Sequence, residues 1–408
     1  MPTEAAAIVV FLLTYLAMSL GGVPGLRLDR AGAALAGAAA MVACGALSLD
    51  EAYRAIDLGT LTLLLGMMIV IANLRLSGFF ETVSAWAAAH ARYPFFLLVA
   101  VVLVCGFFSA FLVNDAVCLV LTPLVCELTA RLKRPPVPYL LAVAMASNVG
   151  SVATITGNPQ NIIIGSLSGI PYARFAAALA PVAGIGLLLT IALLALIFRG
   201  EFWSFESLRA GTQTGEVRRH RTHRALMVKS VLVTLAMMAA FFAGLPPPAV
   251  AIAAGALMLI TRRVDARKVY AGIDWPLLAM FAGLFIVVAG LEKWVVSNRA
   301  ETVIGAMGLE RVSVLTSVTL VLSNLVSNVP AVLVLRPFVT ALHDPRRAWL
   351  VLAMASTLAG NLTLVGSIAN LIVARSAESH GVKIRFWTYL KAGVPLTALT
   401  VLVGALWL

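Results

Sequence analysis

The chain has 408 residues, 61% of them hydrophobic and only 12% charged, about half the charged share of a soluble domain. Apolar runs near the length of a membrane span recur from end to end, which excludes a soluble enzyme with one anchor and points to an all-α polytopic membrane protein. The net charge of +12 does not call for a nucleic-acid partner, because the basic residues lie between apolar runs, where loop topology accounts for them.

In chain order, the first apolar run begins near Ala5 with no Lys or Arg before it. A cleavable signal peptide wants a basic leading region, so residues 5–22 read as a retained first helix. Further helices are predicted at 31–48 and 60–74. Residues 95–131 are apolar but interrupted by "SAFLVND", which suits a hairpin that enters the membrane and turns back. A span at 138–168 is broken at "TGNP", and a last helix of this half covers 173–198. A polar, basic segment, 199–225, follows and reads as a solvated cytoplasmic connector. The second half runs through helices at 226–244, 247–261 and 276–291, a hairpin at 312–342, a broken span at 348–374 and a helix at 386–407.

The two lists match because the chain repeats itself. "SAFLVNDAVCLVLTPLV" (Ser109 to Val125) aligns without gaps on "SNLVSNVPAVLVLRPFV" (Ser323 to Val339), an offset of 214. "MASNVGSVATITGNPQNIII" (Met145 to Ile164) aligns on "MASTLAGNLTLVGSIANLIV" (Met354 to Val373), an offset of 209. Upstream, Tyr53, Ile56, Asp57 and Gly66 match Tyr270, Ile273, Asp274 and Gly283, an offset of 217. The halves are 1–198 and 226–408. A re-entrant hairpin crosses zero times, so each half crosses five times, and an odd count predicts two inverted repeats, about ten crossings in all. With the 199–225 linker in the cytoplasm, 20 Lys and Arg fall on the cytoplasmic side and 8 outside, in accord with the positive-inside rule. Both termini are then expected outside a cytoplasmic (inner) membrane.

Backbone can leave helical geometry at membrane depth only where protein or water satisfies the freed groups. All four interruptions carry small hydrogen-bonding residues. The hairpin tips hold Asn114 and Asp115, then Asn324, Ser327 and Asn328. The breaks hold Asn148, Thr154, Thr156, Asn158 and Asn161, then Asn361, Thr363, Ser367 and Asn370. Such residues also bond neighbouring membrane helices to one another, but four matching clusters in symmetric positions point to a solute site, with Asn114, Asn158, Asn328 and Asn370 as expected donors. Asp57 and Asp274 precede helices and read as N-caps.

Asp115 is the one carboxylate in the middle of an apolar span, and its repeat mate is Val329. A carboxylate at that depth is costly, and it suits coupling to H+ or Na+; the plainer alternative is a carboxylate that caps the hairpin helix. The four cysteines form no CxxC pair and the five histidines fall in loops or near segment ends. Neither a metal, a cofactor nor an intramembrane active site is expected, so the chain does not read as an enzyme. No GxxxxGK phosphate loop occurs, which leaves an ATPase only as a partner on another chain, and a passive channel would not need paired hairpins.

"NDAVCLVLTPLV", "SNVGSVATITGNPQNIIIG", "SNLVSNVPAVLVL" and "GNLTLVGSIANLIV" resemble the signature regions of the ion transporter superfamily. It includes arsenite-efflux permeases of the ArsB type, NhaD-type sodium/proton antiporters and divalent-anion/sodium symporters. The resemblance implies a scaffold domain, a transport domain with the solute between hairpin tips and broken helices, a homodimer, and for some arsenite permeases a cytoplasmic ATPase. The Asn-Asp pair is similar to the arsenite and NhaD branches, whereas dicarboxylate carriers show Ser-Asn-Thr at both tips. The expected function is proton-coupled efflux of a small inorganic solute, arsenite or antimonite, with a sodium/proton antiporter or coupled anion transporter as the alternative.

Overall fold

The computed structural model describes residues 2–20, 28–90, 93–203, 224–261, 264–296 and 300–408. Most of the basic linker therefore lies outside the described residues. The first half contains α1 (Pro2–Ser19), α2 (Arg30–Ala43), α3 (Leu49–Ala55), α4 (Leu58–Leu76), α5 (Phe79–His90), α6 (Pro94–Phe111), α7 (Asn114–Arg131), α8 (Pro136–Ser151), α9 (Pro159–Ser168) and α10 (Tyr172–Ile197). After a short α11 (Arg199–Phe202), the second half contains α12 (Arg224–Phe242), α13 (Pro247–Leu259), α14 (Ala266–Tyr270), α15 (Trp275–Leu291), α16 (Ala300–Met307), α17 (Val312–Val326), α18 (Asn328–Thr340), α19 (Pro345–Ala359), α20 (Ile368–Ser379) and α21 (Phe386–Trp407).

The described chain is all-helical, and six helices among the described residues are long and apolar enough to cross a membrane. Both expected hairpins are helix pairs. Only Leu112 and Val113 separate α6 from α7, and only Ser327 separates α17 from α18. Both broken spans are helix–loop–helix. In the first, a single 3-10 turn (Ile155–Gly157) fills the gap between α8 and α9. Predicted boundaries fall within a few residues for the long helices. The short helices α3, α5, α14 and α16 were not expected, being too short or too polar for a span-length search.

Local chemistry accounts for the helix starts. Pro opens α6, α8, α9, α13 and α19, where its missing N–H costs nothing. Asp57 accepts from Thr60 N at 3.1 Å, and its repeat mate Asp274 accepts from Leu277 N at 3.0 Å. The capping expected of this pair is therefore seen. Ser48 and Glu51 form a capping box at α3, and Lys293 reaches Glu51 at 2.6 Å.

Packing follows the repeat. Helix α2 lies along α15, and α4 lies along α13, so each half contributes one helix to each pair. Helix α6 packs on α8 as α17 packs on α19, and α10 meets α21. Helices α1, α2, α4, α12, α13 and α15 make most of their contacts with one another, and a second group gathers α6 to α10 with α17 to α21. The α2–α15 and α4–α13 crossings are close because Gly283 and Gly66, repeat mates, face Ala34 and Ala251, also repeat mates. A Cβ on Gly283 would stand 2.7 Å from the Ala34 carbonyl carbon, and one on Gly66 would press on the Ala251 backbone. Such contacts carry the association of membrane helices, where no hydrophobic force holds them.

Ala at Gly66 or Gly283 should thus lower the stability of the purified protein by about 1–3 kcal/mol. Gly184→Ala, which meets nothing within 4 Å, should not. Thermal unfolding in detergent checks this, and equal melting temperatures for all three would contradict the packing.

Candidate solute site

The site begins with how the two breaks are held. Asn161 donates to the carbonyls of Ser151 (3.1 Å) and Thr154 (3.0 Å). Its repeat mate Asn370 donates to the carbonyls of Gly360 (2.7 Å) and Thr363 (3.1 Å). The accepting positions are themselves mates, so one device closes both loops and satisfies carbonyls at the end of α8, just past α19 and within each break. Asn158 caps α9 by accepting from Asn161 N at 2.8 Å. Ser367 caps α20 by accepting from Ala369 N at 3.2 Å.

The two halves are then stitched together. Asn148 uses its full capacity of two donors and two acceptors. It donates to Asn361 Oδ1 (2.9 Å) and Asn370 Oδ1 (3.0 Å), and it accepts from Asn114 Nδ2 (3.1 Å) and Ser367 Oγ (3.1 Å). Its mate Thr357 accepts from Asn158 Nδ2 (3.1 Å) and Gln160 Nε2 (3.2 Å) and donates to Asn161 Oδ1 (3.4 Å). Thr154 donates to the Ala110 carbonyl, and Thr156 donates to the Phe111 carbonyl at 3.3 Å, so the first break satisfies the end of α6. On the other side Asn324 bonds the carbonyls of Ala359 and Leu320, both at 3.1 Å.

Above this network lies a cavity of about 30 Å³, lined among others by Asn114, Asp115, Gln160, Ser327, Asn328 and Ser367, with room for about two water-sized groups. The first residues of α7, α9, α18 and α20 all reach it. Neither hairpin helix, α7 or α18, receives a side-chain cap from the residue before it. Helix N-termini are partial positive charges that favour oxygen-rich or negative groups.

Both tip asparagines are buried, and Asn114 Oδ1 and Asn328 Oδ1 have no hydrogen-bond partner among the described residues. Asp115 sits in the first turn of α7, partly open to the cavity, and it is not the cap of that helix. The second tip turns on Ser327 at φ 80°, ψ 160°, a region that only Gly adopts freely and that costs about 1–3 kcal/mol otherwise. Its counterpart turn at Val113 is relaxed, with φ −54°.

Among the residues singled out from the sequence, Asn114, Asp115, Ser327, Asn328 and Ser367 line the cavity. Asn148, Asn158, Asn161, Asn361 and Asn370 form the network beneath it. The amide groups of Asn158 and Asn370, expected to face the solute, are committed to that network in this conformation. Thr154, Thr156 and Asn324 tie the tips to the breaks, and Thr363 contributes its carbonyl. Arg30, Gln160 and Thr357 were missed. Thr357 could have been found as the repeat mate of Asn148, and Gln160 as the neighbour of the break. Arg30 aligns with Pro247 and carried no signal beyond loop charge.

A family model described as "Citrate transporter" (CitMHS) matches residues 9–359. The chain belongs to the CitMHS family, within the ion transporter superfamily. It is 31% identical to a 46 kDa membrane protein of Mycobacterium leprae, over 98% of this chain and 97% of that one. It is 30% identical to the silicon efflux transporter LSI3 of Oryza sativa subsp. japonica, over 99% and 97%. The YdaH transporter of Alcanivorax borkumensis has a similar fold, with a TM-score of 0.62 at 14% identity, covering 99% of this chain and 96% of that one. This CitMHS protein is accordingly an integral membrane transporter.

Two outcomes test the site's construction. Asn148→Ala should destabilise the protein by about 1–3 kcal/mol or more, since several buried partners lose their bonds together. Ser327→Gly should stabilise it by about 1–2 kcal/mol through relief of the turn. Thermal unfolding reads both, and a Ser327→Gly protein less stable than wild type would contradict the strain.

Proposed function

We propose that this chain is a secondary active transporter of a small inorganic solute. The reading favoured is efflux of arsenite or antimonite coupled to the proton gradient by alternating access. Residues 1–198 and 226–408 act as inverted repeats of five crossings each, about ten in all, with both termini outside. The hairpins at 95–131 and 312–342 enter from opposite sides, and the solute binds where their tips meet. The matched packing of repeat mates supports this plan, as does the tip-to-tip cavity. A homodimer and a cytoplasmic ATPase are the partners the superfamily suggests.

The observation that carries the reading is Asp115, a carboxylate without an ion pair among the described residues, facing a small cavity built from four helix N-termini. A cavity of about 30 Å³ is far too small for a citrate. The orphan oxygens of Asn114 and Asn328 suit a solute that donates hydroxyl protons, as neutral arsenite would. The silicon efflux named for one relative belongs to the same chemical class. A carboxylate that takes up a proton is neutralised and lets the carrier cycle; Na+ is the alternative coupling ion. A second reading, a coupled anion transporter, has in its favour the converging helix N-termini and the family's citrate name.

Flux in proteoliposomes separates these readings: arsenite, sodium and citrate compared with and without an imposed pH gradient. Gradient-driven arsenite movement is expected, and citrate movement alone would replace it. Asp115→Asn should still insert and fold, but should lose accumulation driven by a pH gradient. Wild-type coupling in that variant would place coupling elsewhere. Asn114→Ala and Asn328→Ala should weaken solute binding roughly tenfold to a hundredfold, from the loss of one buried partner each. Unchanged affinities would remove the tips from the site.

A further inference from the structure

Arg30 lines the same cavity as Asp115. Among the described residues neither forms an ion pair, although each is partly shielded from solvent. Two opposite charges thus share a small cavity, unpaired. An unpaired charge at membrane depth is the costly arrangement, and a close pair is much less so. They belong to different groups of helices. Arg30 opens α2, which is locked along α15 at the Gly283–Ala34 crossing. Asp115 opens α7, which packs on α8 and α20. Asp29 does not compete for Arg30, because it caps α2 by accepting from Gly32 N at 2.8 Å. The other charges nearby are Asp274, which acts on Asp115, and Arg375, which acts on Arg30. The first is engaged as the cap of α15, and the second, on α20, is exposed.

We propose that Arg30 is the internal counter-cation of Asp115: when the cavity closes without solute, the guanidinium pairs with the carboxylate, and bound solute keeps them apart. The proposal rests on the transporter reading above and adds a residue to it. In the empty carrier Arg30 holds the deprotonated Asp115 until a proton takes its place, so the guanidinium and the coupling proton compete for one carboxylate. A loaded carrier moves with solute between the two groups. Competition between solute and ion pair makes the return step depend on Arg30 far more than the loaded step does. Arg30 is a positioning residue in this scheme, acting through the charge of Asp115.

The first test needs no solute. Full-length wild type, Arg30→Gln, Asp115→Asn and the double variant are unfolded thermally in detergent at neutral pH without added solute. The pair predicts a non-additive cycle, with the double variant melting about 2 °C or more above the sum of the single effects. Arg30→Lys, which keeps the charge, should stay nearer wild type than Arg30→Gln. The control cycle of Arg30→Gln with Asp274→Asn should be additive. Additivity between Arg30 and Asp115 would overturn the proposal whatever the solute is.

The second test uses radiolabelled arsenite in proteoliposomes. Arg30→Gln should reduce net uptake at least tenfold more than arsenite–arsenite exchange, which needs no empty return. Equal loss of both would make Arg30 a solute ligand, and loss of neither would make it a surface charge; either result overturns the proposal. Absence of arsenite flux in the wild type would defeat the arsenite reading, and the thermal cycle would still decide the ion pair.

Discussion

Backbone that leaves a helix inside a membrane must find new hydrogen bonds, because lipid offers none. The rest of this structure depends on how that constraint is met. Two hairpin turns and two broken helices free peptide groups within the protein. Asn161 and Asn370 close the breaks with the same pair of carbonyl contacts. Thr154 and Thr156 hold the end of α6, while Asn324 ties the second hairpin to α19. Satisfying the backbone consumes most of the polar side chains, and the few left over face the cavity. The cavity lining is in this sense a remainder: the side chains of Asn114, Asn328, Ser327 and Asp115 are ones the backbone of the turns and breaks does not use.

The repeat explains the frame, and its violations explain the site. Gly66 and Gly283 make the same close approach to Ala251 and Ala34. Asn148 and Thr357 each reach across to the break of the opposite half, but a four-bond amide has replaced a hydroxyl. Asp115 stands where the other half has Val329, and Arg30 where it has Pro247. Both charged departures fall in the first half, and the strained turn at Ser327 falls in the second.

Much of this was legible in the sequence. The gapless offset of 214 placed both tips, and Pro123 and Pro337 sit inside matching helices α7 and α18 as the alignment required. The N-cap reading of Asp57 and Asp274 followed from position alone. Which asparagines face the cavity was not legible. Asn114 and Asn370 share residue type, burial and a place in the first turn of a helix that follows an interruption, and only the direction of the amide separates them. Arg30 was hidden because the positive-inside rule already accounted for it. Helices α3 and α14 escaped notice because five to seven residues carry no span-length pattern.

The most direct test of a cavity reached alternately from the two sides is chemical access to its strained wall. A variant with all four native cysteines replaced by Ser would carry one cysteine at position 327, in sealed vesicles of known orientation. It is then treated with a membrane-impermeant thiol reagent from each side. The account predicts labelling from one side at a time, slowed by arsenite, with the reactive side changing when the pH gradient is reversed. Labelling from both sides at once would describe a channel, and no labelling from either side under any gradient would contradict the account.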